Sequence, residues 1–83
     1  MSVEKILNES WSEYDDKKIR DNRDRRYFAC QETWEVDYLI KKIKKYFPFH
    51  NDTQILNAIK SCCNTVSAPR PRTEFVKCVI EKL

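Results

Sequence analysis

Apolar residues recur along this chain in steps of three and four, the spacing that gathers side chains on one face of a helix. Val3, Ile6, Leu7, Trp11 and Tyr14 form the first such series behind Ser2, whose hydroxyl suits a helix N-cap. They predict an amphipathic helix over residues 1–16. The pattern resumes after Arg26-Tyr27-Phe28-Ala29-Cys30, a stretch of extended character. Val36, Leu39, Ile40, Ile43 and Phe47 share a face of a helix expected over 31–47, which Gln31-Glu32-Thr33-Trp34-Glu35 opens with acidic residues and Pro48 closes. Asn51 or Asp52 caps a second helix, 52–66, carrying Ile55, Leu56, Ala58, Ile59, Cys62, Cys63 and Val66. Pro69 and Pro71 stiffen the next loop, and Phe75, Val76, Val79, Ile80 and Leu83 mark a last helix over 73–83 with Cys78 at its border. The expected fold is all-α, a three-helix module preceded by an N-terminal amphipathic helix.

Length narrows the function. A chain of 83 residues builds one small domain whose core is only just large enough to fold unaided, with no room beside it for a deep cleft. Glycine is absent altogether, so the chain lacks the residue on which phosphate-cradling loops and strained nucleophile turns depend. No catalytic constellation, cofactor motif or metal-ligand spacing appears, and the expectation is a binding module rather than an enzyme. Met1-Ser2-Val3-Glu4-Lys5 has neither the basic start nor the apolar stretch of a signal peptide, and no apolar run is long enough to span a bilayer. The expected address is therefore cytoplasmic, with no membrane partner.

In that reducing setting Cys30, Cys62, Cys63 and Cys78 are expected as free thiols packed like small hydrophobes, a disulfide framework being the alternative. Cys62 and Cys63 are adjacent on a predicted helix and point about 100° apart, so they chelate one ion poorly. His50, in the turn before the second helix, reads as a surface residue.

Charge divides the chain more sharply than its net value of +3 suggests. Glu4, Glu9, Glu13, Asp15 and Asp16 make residues 1–16 acidic, and the block Lys17-Lys18-Ile19-Arg20-Asp21-Asn22-Arg23-Asp24-Arg25-Arg26 then reads as a solvated basic connector, 17–26, ahead of the domain at 27–83.

At Gln31-Glu32-Thr33-Trp34-Glu35-Val36-Asp37-Tyr38, followed by Lys41-Lys42, the chain resembles a family of short bacterial proteins of unknown function. In that family an Asp-Arg lead-in, here Asp24-Arg25-Arg26, and an extended segment precede an acidic helix with an aromatic-Glu-Val-x-Tyr core, then a turn and two further short helices. The likeness in layout runs over 24–83, and the chain departs from it in its longer, proline-rich second turn and its cysteine pair. A weaker resemblance, through Phe47-Pro48, the Ile55/Ile59 step and Val76-Ile80-Leu83, is to ubiquitin-binding three-helix domains. The first resemblance implies a three-helix fold and carries no activity.

Two classes of function follow. In the first, the module binds a protein partner or a second copy of itself, with Ile6, Leu7 and Trp11 on the N-terminal helix, or Trp34 and Tyr38 at the edge of the main module, as anchors. In the second, the first two helices of the module form a helix-turn-helix: Thr53, Gln54, Asn57 and Lys60 face a nucleic-acid groove, while Lys41, Lys42, Lys44, Lys45, Arg70 and Arg72 meet phosphates. Folding of the N-terminal helix onto the module competes with the first, and simple solvation of exposed lysines with the second.

Overall fold

A computed structural model describes residues 2–83, with side chains from Glu4 onward; the cap expected at Ser2 and the apolar position expected at Val3 lie outside the described residues. The described chain is all-α apart from one two-residue strand pair. Its elements are α1 (Ser2–Leu7), α2 (Ser12–Arg20), β1 (Tyr27–Phe28), α3 (Thr33–Tyr46), α4 (Asp52–Thr65), β2 (Arg70–Pro71) and α5 (Arg72–Lys82).

The N-terminal segment differs from the single helix expected over 1–16. It breaks between Leu7 and Ser12, where Asn8 and Ser10 offer the backbone local alternatives to helix, and the Trp11 indole N–H closes the corner on the Ile6 carbonyl at 3.0 Å. The second half then runs on into the basic block as far as Arg20. It stops at Asn22, whose φ of 58° is the left-handed conformation that glycine usually supplies, while the Arg23 N–H reaches back to the Lys18 carbonyl at 2.8 Å. Residues 19–26 of the block are exposed, with Lys17 paired to Asp21, Arg23 to Glu32 and Arg26 to Asp24, and Lys18 alone is buried.

α4 opens on a reciprocal capping box, Asn51 accepting from the Gln54 N–H and Gln54 accepting from the Asn51 N–H, so Asn51 and not Asp52 is the cap. The strands pair antiparallel, Tyr27 opposite Pro71 and Phe28 opposite Arg70, which ties the segment before α3 to the start of α5. Above this pairing the Phe28 and Phe75 rings stack at 4.4 Å. One core gathers Ile6, Trp11 and Tyr14 with Leu39, Ile43, Ile55, Ile59, Phe75, Val76 and Val79, so the N-terminal helices complete the module.

The cysteines are paired, Cys30 with Cys63 and Cys62 with Cys78, at Cα separations of 6.2 and 6.0 Å, correcting the expectation of free thiols. The divergence that prevents Cys62 and Cys63 from sharing a ligand turns one toward α5 and the other toward the segment after β1. No helix among the described residues is long and apolar enough to cross a membrane.

Candidate functional site

α2 meets α3 through long side chains, and the centre of that contact is ionic. Glu35, on the same helical stripe as Leu39 and Ile43, is fully buried. Lys18, also buried, donates to both its carboxylate oxygens at 3.1 Å and to the Tyr27 carbonyl at 2.8 Å. The Tyr14 hydroxyl donates to Glu35 Oε1 at 2.5 Å, and the Ala29 N–H donates to the same oxygen at 3.1 Å. Burial, and then the adjoining carboxylate, push the Tyr14 phenol far above its ordinary range, so it stays a hydrogen-bond donor. Every charge in the cluster has a partner, the condition for keeping ions in a core.

Against this cluster stand Trp34 and Tyr38, one turn apart on α3 and half-buried. Their rings pack on Tyr14 at 5.3 and 5.6 Å, and Tyr38 also meets Trp11 at 5.6 Å. The faces left open, with Glu13 of α2, line two adjoining grooves. One continues past Ser10, Ser12, Asp37 and Lys41; the other runs along Asp16, Lys17 and Arg20 to Ile19, which is 59% exposed. The Lys17 ammonium sits 5.2 Å from the Trp34 ring centre, and that of Lys42 sits 5.0 Å from Tyr38.

A second hub fixes the α1–α2 corner to α3. Glu9 accepts from Lys42 and Lys45, each at 3.0 Å, and from the Tyr46 hydroxyl; these donors, Tyr46 first, hold its carboxyl at about 2 instead of the ordinary 4.5.

The residues singled out from the sequence fall into distinct environments. Ile6 and Trp11 are buried and Leu7 packs against the core, so the N-terminal trio is covered by the chain itself and does not present anchors. Trp34 and Tyr38 do line open grooves. Among the cations, Lys42 and Lys45 are joined to Glu9, Lys44 to Asp52 at 2.8 Å, and Arg72 to Asp15 at 2.9 Å with its guanidinium 4.5 Å from the Trp11 ring centre. Arg70 donates to the Val66 and Cys63 carbonyls at 2.8 and 3.0 Å, satisfying the end of α4. Lys41 and Lys60 are exposed, as are Thr53 and Asn57, while Gln54 is used in the capping box. Ile19 and Glu13 escaped the sequence reading. Their signal is that they flank Tyr14 and Lys18 on a helix continuing through the charge boundary. Compared with models of protein families, with curated proteins and with solved structures, the chain matches none.

Proposed function

We propose that this protein is a non-enzymatic helical interaction module that binds a protein partner along the Trp34/Tyr38 groove. The observation that supports this reading most directly is the pairing of two half-open aromatic rings with a rigid, fully bonded support behind them. Aromatic anchors of this kind release ordered water over a large area at little cost in side-chain freedom. Ile19 extends the apolar contact, and Glu13, Asp16, Asp37, Lys41 and Arg20 supply a polar rim. Nucleic acid ranks second as a partner, because five of the six cations expected to meet phosphates already donate to groups of the chain and a phosphate must displace them. The pairing of all four cysteines favours a setting that is oxidising at least at intervals, which the cytoplasmic address expected from the sequence meets only transiently.

The test is selection of binders from a random peptide library displayed on phage, followed by titration against Trp34→Ala and Tyr38→Ala proteins of unchanged circular dichroism. Selected peptides that compete with one another and weaken at least about tenfold on either variant support the groove. Selected peptides indifferent to both substitutions, or a chain that yields none and instead shifts labelled duplex or single-stranded nucleic acid, overturn it. Sedimentation of the same sample reads self-association directly.

A further inference from the structure

The two disulfides occupy unlike surroundings. Cys62 is fully buried on the stripe of α4 that carries Ile55 and Ile59, whereas both residues of the Cys30–Cys63 pair are half-buried. Arg70 donates through Nη2 to the backbone carbonyl of Cys63 at 3.0 Å, and its backbone pairs opposite Phe28, two residues before Cys30. Glu32, the acidic residue nearest Cys30 in sequence, is neutralised by Arg23.

Exchange between a thiol and a disulfide needs a sulfur that a thiolate can approach and a second sulfur that can depart carrying negative charge. At Cys62–Cys78, attack on the half-buried Cys78 expels the Cys62 thiolate into an apolar core, where burial disfavours charge. At Cys30–Cys63, either sulfur departs into a half-buried site, where contact with water stabilises a thiolate.

We infer that Cys30–Cys63 is a site of thiol–disulfide exchange with small cellular thiols, and that it opens ahead of Cys62–Cys78. A glutathione thiolate attacks Sγ of Cys30 or Cys63; a mixed disulfide forms, the protein S–S bond breaks, and its electron pair leaves on the other protein sulfur. A second glutathione thiolate then attacks the glutathione sulfur of the mixed disulfide. Glutathione disulfide departs and the second protein thiolate is freed, so two glutathione thiols are oxidised for one protein disulfide reduced, and solvent protonates the protein thiolates. Opening removes the covalent tie to α4 of the segment after β1, which also carries the Ala29 N–H bonded to Glu35. This chemistry stands whether or not the aromatic groove binds a partner.

The experiment is graded reduction of the oxidised full chain with glutathione, quenching by an alkylating agent, and mass mapping of each cysteine. Expected is a half-reduced species alkylated at Cys30 and Cys63 alone, preceded by a glutathione adduct on one of them. Simultaneous opening of both pairs, or earlier opening of Cys62–Cys78, overturns the inference.

Discussion

Lys18 and Glu35 form an ion pair sealed from solvent, with the ammonium 3.1 Å from each carboxylate oxygen and the Tyr14 hydroxyl completing the carboxylate's shell. Removing one partner leaves a charge in the core without its counter-charge. Lys18→Ala is expected to cost about 3–5 kcal/mol in urea unfolding, while the double variant Lys18→Met/Glu35→Leu, which removes both charges and keeps the volume, retains most of the stability. Tyr14→Phe, losing one bond to a charged acceptor, falls between, at about 1.5–3 kcal/mol.

Acid should weaken the Glu9 hub. Its carboxyl titrates at about 2 in the fold and near 4.5 when free, so the folded state holds the charged form more tightly. The stabilisation is complete above the free value, declines as pH falls through 4.5, and is gone below about 2. Urea midpoints measured from pH 6 to pH 2 should show that decline in the native protein. The component belonging to Glu9 should be missing in Glu9→Gln, and a carboxyl-carbon NMR titration should place its midpoint directly.

Phe75 and Phe49 offer a matched contrast in one residue type. Phe75 is fully buried and stacked on Phe28, so Phe75→Ala should cost about 3–5 kcal/mol, enough to unfold a marginal domain. Phe49, in the turn before α4, is 90% exposed, and Phe49→Ala should change stability by less than about 0.5 kcal/mol. Thermal unfolding of the two variants side by side decides it.

The disulfides close spans of 33 and 16 residues, for which loop-closure entropy gives about 3–4 kcal/mol each. Calorimetry with and without reductant should therefore show a large fall in Tm. Cys62→Ser/Cys78→Ser should lose nearly as much as the other pair, because stabilisation varies only slowly with span.

Much of the helical framework was legible in the sequence because its stripes are mostly apolar: Leu39/Ile43, Ile55/Ile59 and Phe75/Val76/Val79 all lie in the core. What was not legible shares a cause. Lys18 and Glu35 sit on core-facing stripes, as continuations of Trp11/Tyr14 and of Leu39/Ile43, yet a scan that sorts residues into polar and apolar assigns both to solvent. Only partners 17 residues apart reveal otherwise. The break at Asn8–Trp11 turns on an indole bonding back to Ile6, a tertiary detail outside any periodicity. At the candidate site, Trp34 and Tyr38 were visible as an off-stripe aromatic pair. The groove beside them depends on how far α2 extends, and the change of charge at Lys17 obscured that.

The adjacency of Cys62 and Cys63 has a bearing on how the bridges come to be formed correctly. Four cysteines allow three pairings. Once α4 exists, neighbouring side chains diverging by about 100° rule out the pairing that joins Cys62 to Cys63. The remaining mispairing, Cys30 to Cys62 and Cys63 to Cys78, asks α4 to roll about its own axis by a similar angle, which would lift Ile55 and Ile59 out of the core. The greasy stripe of α4 thus proofreads the covalent cross-links. Oxidation records a choice of partner that burial has already made.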